Sequence, residues 1–119
     1  MNLNYLIHSE INEGSFIMIE FEDGTKEPYF VDQKRTGGIT GATMLLGHKL
    51  SEFIRNPALY PCSRMGGTDR FYIANEKTKG QHEGVIGYRK LEQKEKEEWQ
   101  EKLGWVKKLF PLYQALVAS

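Results

Sequence analysis

Two segments of the sequence combine a glycine doublet with basic side chains. The first spans residues 34–41 and the second spans residues 64–70. Glycine lets the backbone turn its N–H groups toward a ligand, and the Lys and Arg side chains supply charge opposite to that of a phosphate. The pattern therefore predicts binding of a compact phosphate-bearing ligand. The expected binding residues of the two segments are Lys34, Arg35, Gly37, Gly38, Thr40, Arg64, Gly66, Gly67 and Arg70.

Aromatic residues elsewhere in the sequence favour a nucleotide or cyclic nucleotide as the ligand. Tyr60, Tyr72 and Tyr88 offer ring faces on which a base can stack. Arg89 adds positive charge next to a glycine-containing segment, where the missing side chains permit close approach of a ligand to the backbone. We therefore include these four residues in the predicted binding site.

Each glycine segment also has a purely structural interpretation. The first is then a flexible loop before a helix, the second a surface turn before a strand, and residues 84–90 a bulged strand. The first segment is not a P-loop, because Gly41 is followed by Ala42 and Thr43 instead of a Lys-Ser or Lys-Thr pair. Magnesium-dependent nucleotide hydrolysis is therefore not predicted, and we expect the ligand to be held without being transformed.

The histidines and the single cysteine do not form a recognisable metal or catalytic motif. His8, His48, His82 and Cys62 show no metal-ligand spacing. No motif supplies a base for a nucleophilic cysteine or serine. We expect no catalytic residues, no metal ligands and no cofactor, while an enzyme built on Cys62 or a histidine is a further possibility.

Length and composition predict one globular domain over residues 1–119. The chain is long enough for one hydrophobic core, with 39% hydrophobic and 27% charged residues. Sixteen basic and sixteen acidic side chains cancel, so neither a DNA mimic nor a nucleic-acid coat is expected. The mixed charges after residue 91 predict pairing at i,i+4, for example of Glu92 with Lys96 and of Glu98 with Lys102.

The sequence predicts a cytoplasmic protein. The single cysteine, Cys62, excludes an intramolecular disulfide and fits a reducing compartment such as the cytosol of a bacterium or of an infected cell. Residues 1–7 lack the basic and apolar stretches of a signal peptide, and no apolar run approaches membrane-spanning length. We therefore expect no membrane partner.

Alternating apolar residues predict an N-terminal hairpin. Residues 16–22 alternate in hydrophobicity, Asp23-Gly24 predicts a tight turn, and residues 27–31 predict the returning strand. Pro28 predicts that this second strand lies at a sheet edge. Upstream, the apolar spacing of residues 2–12 fits a short helix, with a strand as the alternative.

The central part of the chain predicts a helix and a second hairpin. Apolar residues recur at three and four residues over 40–55, which predicts a helix that begins at Thr40 or Thr43 and ends before Pro57. After a long loop, residues 70–74 and 84–91 predict two strands.

The C-terminal quarter predicts one long amphipathic helix with a kink or break near Phe110, because Pro111 follows. Gly104 weakens it further. Its apolar surface is broader than one small sheet needs, which predicts a homo-oligomer. The expected interface residues are Trp99, Leu103, Trp105, Val106, Leu109, Phe110 and Tyr113.

Together, these elements predict an α+β fold: two antiparallel hairpins, a central helix and a Pro-interrupted C-terminal helix over one face of a mostly antiparallel sheet. The predicted function is sequestration of a nucleotide or cyclic nucleotide, which would suit a phage or mobile-element accessory that acts against host signalling. The alternative is a protein-interaction module or inhibitor that docks a partner protein through its apolar C-terminal helix.

Overall fold

The computed structural model describes residues 5–7, 10–37, 42–60 and 84–119. These residues form a four-stranded antiparallel sheet, in the order β3-β2-β1-β4, together with three α-helices. The predicted α+β class is confirmed. The elements, in chain order, are β1 (Phe16–Phe21), β2 (Lys26–Gly37), β3 (Ala42–Lys49), α1 (Leu50–Arg55), β4 (Val85–Lys90), α2 (Gln93–Gly104) and α3 (Phe110–Ala118), with short 3₁₀ turns at Pro57–Leu59 and Lys107–Leu109.

The predicted hairpin of β1 and β2 is confirmed. The two strands pair from Phe16 opposite Phe30 to Glu20 opposite Lys26. In the turn, Gly24 has a φ of +88°, and one carboxylate oxygen of Asp23 accepts hydrogen bonds from the backbone N–H and the hydroxyl of Thr25. The turn thus combines the left-handed conformation that glycine favours with a side-chain cap.

Strand β2 lies inside the sheet, so the edge position predicted from Pro28 is wrong. Pro28 pairs with Met18 of β1, whereas the ladder between β2 and β3 starts one residue later, at Tyr29 opposite Lys49. Pro28 therefore lies one residue outside the part of β2 that pairs with β3, at the level where the chain after Lys49 continues as α1. A missing backbone donor is tolerated there because the neighbouring ladder does not extend to it.

The helix predicted over residues 40–55 is wrong in its first part. Ala42–Lys49 forms β3, and only Leu50–Arg55 is helical. Leu45 and Leu46 are both buried, although consecutive side chains of a strand point to opposite faces. A strand that is buried on both faces does not alternate in hydrophobicity. The apolar residues of β3 and α1 together therefore recurred at three and four residues, which is the spacing expected of a helix.

Tyr5 and Leu6 pair with the outer edge of β4, within the range where residues 2–12 predicted a helix or a strand. Tyr5 forms an isolated antiparallel bridge with Arg89, and the Leu6 N–H donates to the Tyr88 carbonyl at 2.6 Å. The Tyr5 ring lies against Gly87, where an added Cβ would meet three ring carbons at 2.6–2.8 Å. Tyr5 and Leu6 thus pair as the strand alternative expects, Glu10 lies in a 3₁₀ turn, and residues 2–4 and 8–9 lie outside the described residues.

Strand β4 confirms the prediction for residues 84–91, and its partner is β1. The register runs from Ile17 opposite Lys90 to Phe21 opposite Val85, with a bulge near Glu20. The strand predicted over residues 70–74, and with it the second hairpin, lies outside the described residues.

The C-terminal helical region is interrupted earlier than predicted. α2 ends at Gly104, and α3 begins at Phe110, with a 3₁₀ turn between them. Pro111 occupies the first turn of α3, where backbone N–H groups make no hydrogen bond within the helix. The missing N–H of the proline therefore costs the helix nothing. The break therefore precedes the proline.

Two apolar clusters lie on the opposite faces of the sheet. Phe16, Met18 and Phe30 point to one face, and the alternate residues Ile17, Ile19 and Tyr29 point to the other. The helices pack on the first face. Their fully buried residues there are Leu50, Phe53, Leu103, Leu109, Leu112 and Leu116.

Candidate functional site

Much of the predicted binding site lies outside the part of the chain that the structure describes. The whole second glycine segment and Cys62 belong to this group, as do parts of the first segment. Their predicted roles therefore stay predictions. The predicted binding residues in this group are Gly38, Thr40, Arg64, Gly66, Gly67, Arg70 and Tyr72.

The first glycine segment does not lead into a helix. Gly37 ends β2 and Ala42 begins β3, so the segment is followed by a strand, and the helix whose N-terminus was expected to bind the anion is not formed by the described residues after it. Lys34 and Arg35 are consecutive residues of β2, and consecutive side chains of a strand point to opposite faces. The structure therefore does not bring these two cations together, in contrast to what the sequence suggested.

Two of the predicted stacking tyrosines lie on opposite sides of the sheet. Tyr60 packs edge-on against Phe30 and Phe53 on the helical face, with ring centroids 6.3 and 6.0 Å away. Tyr88 packs on the other face and is half-buried, which raises the pKa of its hydroxyl. These two rings cannot contact the same base.

The predicted binding residue Arg89 is already paired with carboxylates. Its Nη1 and Nη2 atoms donate to the two carboxylate oxygens of Glu95, each at 2.8 Å, and its Nε donates to Glu20 at 2.9 Å. Nη1 also donates to the Lys90 carbonyl. This bidentate arrangement neutralises the guanidinium and ties α2 to β4. Arg89 therefore has a structural role here.

Glu95 joins the sheet to the start of α2. Besides Arg89, it accepts a hydrogen bond from Lys26 Nζ at 2.6 Å and one from the backbone N–H of Glu92, with which it forms a capping box. These donors, Arg89 foremost, lower the pKa of Glu95 from 4.5 to about 2 in spite of its burial. The sequence interpretation missed this capping box, because its N-cap is Glu92 and not the Ser, Thr, Asp or Asn that usually marks the start of a helix.

Glu20 extends this cluster to the segment that covers β4. The Tyr5 hydroxyl donates to one carboxylate oxygen of Glu20 at 2.8 Å, while Arg89 occupies the other. Both hydrogen bonds lower the pKa of Glu20. We refer to Tyr5, Glu20, Lys26, Arg89 and Glu95 as the ionic cluster.

The lowered pKa of Glu95 predicts a loss of stability in acid. The stabilisation is complete above pH 4.5, which is the pKa of this carboxyl in the unfolded chain. It decreases as the pH falls toward about 2, the pKa of Glu95 in the folded protein. We expect the difference in unfolding free energy between the wild-type protein and Glu95→Gln to shrink over this interval, as measured by urea denaturation. Glu101→Gln is the control, since Glu101 is an exposed residue of the same helix. A difference for Glu95→Gln that does not change with pH would contradict the assignment.

A cavity of about 300 Å³ lies where β1 begins and β4 ends. Residues 10–12 border it on one side, and α2 contributes Lys96 on the other. This volume is at the lower limit of common small-molecule sites. The lining is mainly apolar, and its apolar residues are Leu6, Ile11, Phe16, Ile17 and Leu91.

The polar lining of the cavity carries more positive than negative side chains. Lys90 and Lys96 provide two ammonium groups, and Glu10 provides one carboxylate, which accepts a hydrogen bond from the Ile7 N–H. Lys96 Nζ donates to the Ser119 carbonyl at 2.7 Å. Ser15 adds a hydroxyl, which donates to the Asn12 carbonyl. The site thus has an apolar floor and two lysines at its rim, of which Lys96 already donates to the Ser119 backbone oxygen.

The first glycine segment and the cavity are linked through the backbone. One carboxylate oxygen of Glu13 accepts a hydrogen bond from the Lys34 N–H, and Glu13 directly follows Asn12, which lines the cavity.

Sequence reasoning missed the cavity because its walls come from distant segments. No local motif marks Lys90 and Lys96 as residues that line one cavity.

The predicted interface residues divide into buried and exposed groups. Leu103 and Leu109 are fully buried in the core of this chain, so they are not available to a partner. Trp99, Val106 and Tyr113 are partly buried against the same core. Trp105 and Phe110 are 80% and 51% exposed. The predicted pair of Glu98 and Lys102 is confirmed at 3.7 Å, whereas the predicted pair of Glu92 and Lys96 is wrong, because Glu92 caps α2 and Lys96 Nζ donates to Ser119.

The sequence matches no family model, and neither a curated protein nor a solved structure shows significant similarity to it. Among the described helices, none has the length and apolar character needed to cross a membrane. In the part of the chain that the structure describes, no three His, Cys, Asp or Glu side chains are grouped so that they could hold a metal ion.

Proposed function

We propose that the protein binds a compact phosphate-bearing ligand, such as a nucleotide or cyclic nucleotide, and holds it without transforming it. The observation that carries this proposal is the cavity between β1, β4 and α2, with Lys90 and Lys96 at its rim and an apolar floor. Two ammonium groups can neutralise a phosphate, and an apolar floor suits the flat face of a base or a similar group.

The size and charge of the cavity support a small anion over a polymer. A volume of about 300 Å³ leaves room for one compact molecule. The formal net charge of the chain is zero, so no long-range field would attract a nucleic acid. Sequestration of a signalling nucleotide, as by a phage or mobile-element accessory, is a role that needs binding alone.

The proposal is tested by thermal unfolding with a panel of mono-, di- and cyclic nucleotides, inorganic phosphate and short oligonucleotides. A ligand at a hundred times its dissociation constant stabilises the native state by about 2.7 kcal/mol, which raises the melting temperature by several degrees. We expect such a shift with a compact phosphate compound, and we expect the compound to be recovered unchanged. A panel that produces no shift contradicts the proposal, and recovery of a converted compound contradicts the absence of catalysis.

Substitution of the rim lysines locates the binding site. Lys90→Ala and Lys96→Ala each remove one charged contact, which is expected to cost about 1.5 kcal/mol and thus weaken binding about tenfold. Lys94→Ala is the matched control, since Lys94 is an exposed lysine of α2 that does not line the cavity. Binding that is equally weakened in all three variants, as measured by calorimetry, would indicate a general charge effect and place the ligand elsewhere.

A further inference from the structure

One wall of the cavity is attached to the edge of the sheet. Leu6 lines the cavity, and its N–H donates to a backbone carbonyl of β4 at 2.6 Å. The preceding residue, Tyr5, places its ring against Gly87, and its hydroxyl donates to Glu20 at 2.8 Å. We call residues 5–7 the strap. The contacts of the strap with the sheet therefore determine where this wall of the cavity lies.

The strap is less buried than the segment that follows it. Ile7 is 58% exposed, and the other two residues of the strap are half-buried. Ile11, by contrast, is 1% exposed, and the Gly14 N–H donates to the Val31 carbonyl at 2.8 Å. Segments that bury little apolar surface open at a lower free energy than segments anchored in the core. The strap is therefore expected to detach from β4 while residues 11–15 stay in place.

We propose that the strap is the gate of the cavity: it detaches from β4 to admit the compact phosphate-bearing ligand and closes against that ligand through Leu6. This inference rests on the proposed function, since it concerns access to the same cavity. The ligand contacts Leu6 only while the strap is closed, so binding shifts the equilibrium toward the closed strap. The ring and the hydroxyl of Tyr5 hold the strap closed, through Gly87 and Glu20 respectively.

Gly87→Ala tests the gate without any ligand. Gly87 has no positive φ, so alanine fits its backbone, but the added Cβ would lie 2.6–2.8 Å from three carbons of the Tyr5 ring. Displacement of the ring should open the strap, and the Leu6 amide should then exchange its hydrogen for deuterium about tenfold faster. The Val31 amide, which donates to the Ser15 carbonyl, should exchange at an unchanged rate.

Two further variants separate the effect of the ring from that of the hydroxyl. Tyr5→Phe keeps the ring and removes only the hydrogen bond to the sheet, so exchange at Leu6 should be about fivefold faster. Ile86→Thr is the control, because Ile86 is the neighbouring residue of β4 and is 53% exposed. Wild-type exchange at Leu6 that is as slow as exchange at Val31, or that Gly87→Ala does not accelerate, overturns the proposal.

The second test uses the nucleotides and inorganic phosphate of the thermal-unfolding panel as probes. A probe that raises the melting temperature should also slow exchange at the Leu6 amide. Gly87→Ala should release this probe about tenfold faster in stopped-flow measurements, whereas Ile86→Thr should release it at the wild-type rate. A probe that binds without slowing exchange at Leu6 overturns the gate and leaves the proposed function standing. If no probe binds, the proposed function and the gate are both contradicted.

Discussion

Gly47→Ala is expected to destabilise the protein by about 3 kcal/mol or more. Gly47 lies on β3 opposite Val31, next to the register shift between Val31 and Gln33. A Cβ at this position would collide with the carbonyl oxygen of Phe30 and would also lie 3.3 Å from the Asp32 nitrogen. These obstructing atoms belong to the backbone of β2, so no side-chain rotation can relieve the overlap. The measurement is the midpoint of urea denaturation.

Gly104→Ala is the matched control for this substitution. A Cβ at Gly104 would meet the Tyr113 ring at 3.6 Å, an ordinary van der Waals distance. The substitution should therefore change the unfolding free energy by less than about 1 kcal/mol, since alanine also restricts the unfolded chain. Equal stabilities of Gly47→Ala and Gly104→Ala would contradict the close approach of β3 to the bulged part of β2.

Arg89→Met is expected to cost about 3–5 kcal/mol of stability, because it leaves two carboxylates without their common partner. The side chains of Arg89, Glu20 and Glu95 are exposed by only 9%, 20% and 11%. Water therefore replaces the lost guanidinium poorly. Urea denaturation at neutral pH measures the loss, and a double-mutant cycle with Glu95→Gln isolates the coupling between the two residues.

The exposed pair of Arg55 and Glu52 provides the comparison. Arg55→Met removes a guanidinium from a side chain that is 75% exposed. This substitution should therefore lower the unfolding free energy by less than about 1 kcal/mol. Similar losses for Arg55→Met and Arg89→Met would mean that the ionic cluster does not hold α2 on the sheet. A small coupling energy in the double-mutant cycle would have the same meaning.

The sequence predicted β1 although Phe16, Ile17, Met18 and Ile19 are buried on both faces of the sheet, so the single buried face expected from its alternation is wrong. The strand was recognisable because Glu20 and the Asp23-Gly24 turn mark where it leaves the core. Strand β3 was mistaken for a helix because Leu45, Leu46 and their neighbours are buried on both faces. The periodicity of apolar residues indicates which side of an element is exposed to solvent. It gives no signal where both sides are buried.

The candidate sites were harder to predict because they depend on tertiary contacts. Arg89 reaches Glu20, and Lys26 reaches Glu95, across 69 residues of sequence in each case. A basic residue at Arg89 therefore resembled a ligand contact until its carboxylate partners were placed. The cavity has the same origin, since Leu6, Phe16 and Lys96 share a wall only after the sheet has formed.

The contact of Tyr5 with β4 has a consequence for the behaviour of the protein at high concentration. β4 ends the described sheet, and an open terminal strand is a template on which another polypeptide can add, the first step of edge-to-edge aggregation. Tyr5 and Leu6 block that edge, and Gly87 leaves the space in which the Tyr5 ring lies. Glu20 accepts hydrogen bonds from both the Tyr5 hydroxyl and Arg89, so the carboxylate that helps to hold α2 on the sheet also holds the residues that cover this edge.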